Sequence, residues 1–421
     1  MELKPTHLIY SHSQIEMGSI PKTLSVEELL TQSLDRHRET LSKVCADIHA
    51  HPELAYEEYR AHDTICDALT ALGYKVTRHA YNLKTAFEVE SGQGGAVLAY
   101  NAEYDALPGI GHACGHNLIA TSSLAAFLAT AEALAESGQP GRVRLLGTPA
   151  EEDGGGKVDL IHAGAYKDVD ACLMGHPGPA GSELNNVILP RLMARSSVTI
   201  TFKGKSAHAG NAPWQGLNAL DAAVASYTGI SMLRQQTPPS QRIHAIITKG
   251  GERPNIIPYL TEIYLYARAE ADAELQKTLK RIVECCEGGA KAAGCEVSFK
   301  WDNQYKELEC SETLADIFDE KATSFGQAYA RELPAVSGAS TDQGNVSFEV
   351  PTLHPVFGIP TDSTEVGPHH PGFEHAAGQP SGFQAALEYA KTMSATGLEI
   401  LSNQKLRQKM WAEHHKRFGS A

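Results

Sequence analysis

A change of rhythm in the middle of the chain constrains its fold most. Before about residue 190, strand-like and helix-like patterns alternate. Ala96-Val-Leu-Ala-Tyr100, Val143-Arg-Leu-Leu-Gly147 and Ala171-Cys-Leu-Met174 read as buried strands, and the alanine-rich stretch from Leu118 to Glu136, stopped by Gly138, reads as a helix. Such alternation predicts a layered α/β sheet, mostly parallel. From about Arg195 to Trp301 the order becomes strand (Ser197–Phe202), helix (Gly216–Leu233), strand (Ile243–Thr248), strand (Glu262–Ala267), long amphipathic helix (Ala271–Ala293) and strand (Cys295–Lys300). β-α-β-β-α-β is a complete ferredoxin-like unit. The α/β pattern resumes near Glu307, with a helix over Ser311–Phe325, a strand over Thr352–Gly358 and a closing helix from Gln379 to about Ala412. A chain of 421 residues exceeds what one hydrophobic core serves. The reading is therefore an α/β protein of two domains. Residues 23–194 and 304–421 form a discontinuous α/β domain, 195–303 an inserted ferredoxin-like domain, and 1–22 an N-terminal extension. Ser25-Val-Glu-Glu28 is a capping box that starts a helix running to about Ala50, and a second helix covers Tyr56 to Leu72.

In open α/β sheets the chemistry gathers on loops past the strand C-termini. The segment Tyr104-Asp-Ala-Leu-Pro-Gly-Ile-Gly-His-Ala-Cys-Gly-His-Asn117 lies there and carries a carboxylate (Asp105), a thiol (Cys114) and an imidazole (His116). Glu151-Glu152 follows the next strand and His176, in Met-Gly-His-Pro, the one after. Taken alone, Cys114 reads as a small buried hydrophobe, Glu151-Glu152 as a solvated pair and His176 as a structural histidine. Together they make a donor set of mixed softness suited to a metal site. Beside a metal, two adjacent carboxylates can divide labour, one as ligand and one as proton acceptor. His369 and His370, in Gly-Pro-His-His-Pro-Gly-Phe373, come far later; a discontinuous domain can return such a residue to an early site. Within the inserted domain, Ser206-Ala-His-Ala-Gly210 and Arg253-Pro-Asn-Ile-Ile-Pro258 place polar side chains beside turn residues. They read either as turn chemistry or as transition-state contacts carried on a lid.

Other classes find no support. There is no H-E-x-x-H helix, no P-C-x-x-C deaminase site and no G-x-S-x-G elbow, and the glycines at 154–156 do not form G-x-G-x-x-G. With 36 basic and 50 acidic residues and a net charge of −14, no basic stripe marks a nucleic-acid surface. No run of about 18 apolar residues marks a membrane span, and the N-terminal residues lack the pattern of a signal peptide. Eight scattered cysteines fit a reducing, intracellular setting, with the cytoplasm as default.

The motifs His51-Pro-Glu-Leu, Asp105-Ala-Leu-Pro, His112-Ala-Cys-Gly-His, Pro149-Ala-Glu-Glu, Met174-Gly-His, Ser206-Ala-His-Ala-Gly, Asn255-Ile-Ile-Pro and Ser340-Thr-Asp-Gln-Gly-Asn-Val-Ser together resemble peptidase family M20, the aminoacylase and carboxypeptidase G type metallopeptidases. The resemblance spans roughly residues 30 to 395 and is nearest to the branch of the aminobenzoyl-glutamate hydrolases and related dipeptidases, which carries Cys-Gly-His. It implies a zinc-peptidase-like catalytic domain with a lid and dimerisation domain, and two divalent metal ions. Cys114 would bridge the ions, His116, His176, Glu152 and His369 would complete the ligands, and Asp105 would orient a ligand from behind. Glu151 would be the general base, and His208 and Asn255 would stabilise the oxyanion. His369 is preferred to His370 because of its spacing to Phe373. The lid histidine of this family often reaches the partner's site, which implies a homodimer through residues 195–303. Two departures bear on this. Asn117 stands where auxin-conjugate hydrolases have Asp, and Glu103 stands where carboxypeptidase members have a histidine ligand, so the latter's ligand set does not transfer.

The function so implied is hydrolysis of the amide bond of a small N-acyl amino acid or dipeptide by a metal-activated water. The thiol favours zinc, with manganese as the alternative. Arg253 is the candidate anchor for the substrate carboxylate, ahead of Arg268. The competing readings are an inactive relative serving as a binding or regulatory subunit, and an amidohydrolase of an unusual biosynthetic amide.

Overall fold

A computed structural model describes residues 24–182, 186–333 and 336–419; the expected extension over 1–22 lies outside the described residues. The first half runs α1 (Val26–Ala50), α2 (Tyr59–Ala71), β1 (Val76–Arg78), β2 (Phe87–Gln93), β3 (Val97–Ala102), α3 (His116–Ser137), β4 (Gly141–Gly147), α4 (Gly156–His162), β5 (Ala171–Leu173), β6 (His176–Pro179) and β7 (Val187–Leu189). The middle block runs β8 (Ala194–Lys203), α5 (Ala219–Leu233), β9 (Arg242–Lys249), β10 (Leu260–Ala269), α6 (Asp272–Ala293) and β11 (Glu296–Trp301). The rest runs α7 (Glu312–Ser324), β12 (Ala330–Glu332), α8 (Gln343–Glu349), β13 (Thr352–Leu353), β14 (Val356–Ile359), α9 (Pro371–Ala377), α10 (Pro380–Ser402) and α11 (Gln404–Phe418).

The helix starts follow local chemistry. Ser25 and Glu28 close the capping box at the head of α1. α2 begins three residues later than the pattern predicts, because Tyr56 takes φ +61° and cannot sit in a helix. The expected closing helix is two: it breaks at Asn403, whose side chain accepts from Leu406 N and caps α11.

The main sheet has the order β1-β2-β4-β3-β5-β13. β4, β3, β5 and β13 are parallel neighbours, whereas β1 and β2 add an antiparallel edge, so the sheet is mostly parallel with a mixed edge. α3 covers one face, with α1 and α10 packed on it. This helix is buried almost all round; it is long and apolar enough to cross a membrane, but 89% of that stretch is buried within the fold. The strand expected over Thr352–Gly358 is split at His354-Pro355. β13 ends the main sheet, and β14 joins a third sheet of order β12-β7-β14-β6. Pro355 offers no N–H to continue a ladder.

The middle block has the order read from sequence. Its sheet is β11-β8-β10-β9, antiparallel throughout, with α5 and α6 packed together and against the sheet. Alternate residues of β10 (Ile263, Leu265, Ala267, Ala269) point into a hydrophobic cluster that shares no member with the main core.

Candidate metal centre

Three parallel neighbours, β3, β4 and β5, end at one edge of the main sheet, and their loops deliver the site. β3 runs into Glu103 and Asp105, β4 into Glu151 and Glu152, and β5 into His176. α3 brings Cys114 and His116 to the same edge. Between them Gly115 takes φ +78°, and a Cβ there would sit 2.5 Å from Pro177 Cγ, so only glycine lets the two ligands approach this close. His369, also at positive φ (+67°), is held by its N–H donating to Ala113 O at 2.8 Å.

The donors converge. One ligand atom each from Cys114, His116 and His176 lies within 4.8 Å of the others, and so do those of Cys114, Glu152 and His369. Cys114 belongs to both groups and stands 3.3 Å from His176 Nε2. Glu152 Oε1 stands 3.4 Å from His369 Nε2 and 3.8 Å from His116 Nε2. Both early histidines expose Nε2 because Nδ1 is engaged behind. His116 Nδ1 meets Asp105 Oδ1 at 3.0 Å, and His176 Nδ1 meets the Pro177 carbonyl at 2.8 Å. Such partners fix ring orientation and tautomer, as metal-binding imidazoles require. Asp105 also accepts from Glu152 N at 2.8 Å, so one carboxylate orders two donors. His370, the alternative to His369, is spent elsewhere: its ring caps α9 by accepting from Gly372 N.

These residues fit a pair of divalent cations. Among the described residues, His116 Nε2 and Glu152 Oε1 are buried without a hydrogen-bond partner, which is costly unless something occupies the space between them. The donors mix thiolate, imidazole and carboxylate, a set borderline metals accept.

Glu151 is buried, 3.9 Å from His116 Nε2 through Oε2. Burial, then Glu103 and Glu152, push its carboxyl well above the usual range. Burial also works against the charge on Glu152, but His369 and His116 outweigh it and bring that carboxyl down to about 2. The adjacent pair is thus pushed apart, Glu151 toward holding a proton more readily and Glu152 toward the charged form. The backbone before Glu151 is strained, with Ala150 at φ +60°. It is held by Glu58, which accepts from Ala150 N at 2.8 Å, and by Tyr305 Oη, which donates to Glu151 O at 2.6 Å. Neither residue carried a local sequence signal. Glu58 follows the His-Pro-Glu-Leu motif by four positions, and Tyr305 arrives only with the return from the middle block.

A cavity of about 200 Å³ opens on these donors, its lining including Cys114, Glu151, Glu152, His176 and His369 together with Arg195, Arg268 and Tyr305. Within one chain the structure does not bring His208, Asn255 or Arg253 to this cavity. All three are exposed on paired loops of the middle block, where Ala209 N donates to Asn255 O. Of the two candidate anchors, Arg268 lines the cavity of its own chain and Arg253 does not. Arg195, missed in the sequence, is its cross-strand partner.

The chain matches the family model "Peptidase family M20/M25/M40" over residues 99–392. It is 40% identical to the Xaa-Arg dipeptidase of Mus musculus, over 92% of this chain and 93% of that protein. It is 28% identical to a p-aminobenzoyl-glutamate hydrolase component of Escherichia coli K12, over 92% and 95%. Its fold matches a Bacillus subtilis protein described as a dinuclear metal binding peptidase, with a TM-score of 0.62 at 23% identity over 87% of this chain and 99% of that one. A family model spanning most of the chain, and a relative at 40% identity along nearly its full length, establish that this protein belongs to the peptidase family M20/M25/M40.

Proposed function

We propose that the protein is a metal-dependent hydrolase that cleaves the amide bond of a dipeptide or small N-acyl amino acid bearing a free carboxylate. The observation that carries this reading is a single sulfur, Cys114, common to two converging donor groups, with the buried carboxyl of Glu151 beside them. An inactive binding subunit would have no need of that base. Cys114, His116, His176, Glu152 and His369 would hold two divalent ions, zinc by the softness of the thiolate, with manganese as the alternative. When bound, such ions supply a water of lowered pKa and a positive field for the developing oxyanion. Asp105 holds His116 in register. Glu151 takes the proton of the attacking water at its carboxylate and passes it to the leaving amine.

The anchor for the substrate carboxylate is the pair Arg195 and Arg268. Their register sets them opposite one another on β8 and β10, and like charges so placed repel. Among the described residues no carboxylate pairs with either. Arg195 stacks 4.1 Å from the Tyr305 ring centroid, and Arg268 donates to Ser340 Oγ at 2.8 Å. Two buried or half-buried guanidinium groups that line one cavity, neither in a direct ion pair among the described residues, favour an anionic ligand. The mouse relative's name points to dipeptides ending in arginine as the first substrates to try. Arg268→Ala is expected to raise KM about tenfold or more for carboxylate substrates and to leave their C-terminal amides nearly unaffected. A panel of dipeptides, acyl amino acids and aryl-glutamates, assayed with and without chelator, measures this. Equal effects on acid and amide would remove the anchor, and chelator-insensitive turnover would remove the metal.

We divide the chain into a catalytic domain, 23–194 with 304–421, and a lid and dimerisation domain, 195–303, because the latter has its own core. The eight free cysteines suit the cytoplasm. A homodimer is supported by the open edge of β9 and by the exposed apolar side chains Trp214, Met232 and Ile246 on the same block. It would let His208 and Asn255, remote from their own cavity, serve the partner's. Mixing inactive His208→Ala and Glu151→Gln subunits should then restore about a quarter of the active sites, since each mixed dimer rebuilds one. No recovery after subunit exchange, or a monomer by light scattering, would refute the arrangement.

A further inference from the structure

Behind the metal donors lies a second polar assembly that the reaction does not use. Lys157, on α4, is fully buried. Its ammonium donates to Glu103 Oε1 at 2.5 Å and to Asp342 Oδ1 at 2.6 Å, and its backbone N–H donates to Asp342 Oδ2 at 2.9 Å. Both carboxylates are buried as well. Burial opposes a charge on Lys157, but Asp342 and Glu103 outweigh it and hold the ammonium in place. The other oxygen of Glu103 looks the opposite way, 3.6 Å from His116 Nε2. Ligand atoms of Glu103, His116 and Glu151 all lie within 4.8 Å of one another. Glu103 is thus a hard oxygen donor within reach of the centre, and a cation settling there would engage Glu151 as a ligand and cost the site its base.

Resting on the metal-centre reading above, we propose that Lys157 is a positioning residue. By binding Glu103 and Asp342 it keeps the Glu103 carboxylate out of the coordination sphere and so leaves Glu151 uncoordinated. The ammonium does by hydrogen bonding what an additional cation would do by coordination, from the side away from the reacting atoms. The lysine follows the glycine run 154–156, and Asp342 lies in Ser340-Thr-Asp-Gln, a motif that the ligand set alone leaves without a role. Gln343, next to it, accepts from Asn101 Nδ2 at 2.7 Å and ties α8 to the end of β3.

The test compares wild type, Lys157→Met and the charge-free set Glu103→Gln/Lys157→Met/Asp342→Asn, each equilibrated with zinc or manganese ions and desalted. Metal per chain is read by elemental analysis, and kcat and KM are read separately. Wild type is expected to hold about two equivalents. Lys157→Met is expected to take up about one more and to lose about tenfold or more in kcat at nearly unchanged KM. The charge-free set, in which buried ions are replaced by neutral groups of similar shape, is expected to fold, to return to wild-type stoichiometry and to recover most of kcat. Lys157→Met holding the wild-type amount of metal would overturn the proposal. So would a charge-free set that loses a metal or stays inactive, whether or not Lys157→Met itself folds. Wild type holding no metal would instead defeat the metal-centre reading.

Discussion

Glu151→Gln is expected to lose about 10³-fold or more in kcat while binding metal and substrate as the wild type does. Glutamine keeps the shape and one carbonyl oxygen of the side chain but can neither accept the proton of the attacking water nor return it to the amine. Glu151 lies outside both donor groups that share Cys114, so metal content should not change. The main-chain support of its segment comes from Glu58 and Tyr305 and does not depend on the carboxyl itself. Steady-state kinetics beside elemental analysis reads both quantities. Turnover above a few per cent of wild type would remove Glu151 from the proton path, and metal loss would make it a ligand.

The second large effect is acid release of the metals. Burial, then Glu152, push the Cys114 thiol well above its usual range. Burial opposes a charge on His116, but Asp105 more than compensates and lifts the imidazole well above its ordinary value. In the metal-free chain both groups therefore hold a proton at neutral pH, and metal binding must displace it. Each displaced proton makes the affinity about tenfold weaker per unit fall in pH, so the two together cost about a hundredfold per unit. Glu152, brought down to about 2, stays ionised throughout and adds nothing to the slope. Protein loaded at pH 8 and dialysed at pH 5 should lose its metal and its activity together, and recover both on return with added zinc or manganese. Retention of metal at pH 5 would mean that Cys114 and His116 are not the ligands.

What could be read in the sequence was mostly what short stretches decide for themselves. Ser25 and Glu28 announce the start of α1 because the two groups that make the capping box are three residues apart. The order of elements from β8 to β11 follows from local periodicity and was legible. Cys114, His116, Glu152, His176 and His369 were nameable because each sits in a motif, and the structure draws them together. What escaped depended on distant partners. β2, whose alternation (Phe87 and Val89 buried, Glu88 and Glu90 half-buried) is visible in retrospect, gains its meaning only from pairing with β4. The split at His354-Pro355 was hidden because both halves look like strand. Arg195 and Arg268 become a pair only through the register of β8 and β10, and no spacing along the chain connects residues 73 apart.

The late position of β13 and His369 has a consequence for how the molecule is made. The main sheet gains its last strand at Leu353, and the donor set is completed only at His369, after the whole middle block has been synthesised. Nascent chains emerge N-terminal part first, so the early thiol and imidazoles must wait, uncommitted, through most of synthesis. Under the metal-centre reading, a cation pair meets its full donor set only once His369 has been made, and a chain cut short before that point would carry a half-built cradle with no far wall.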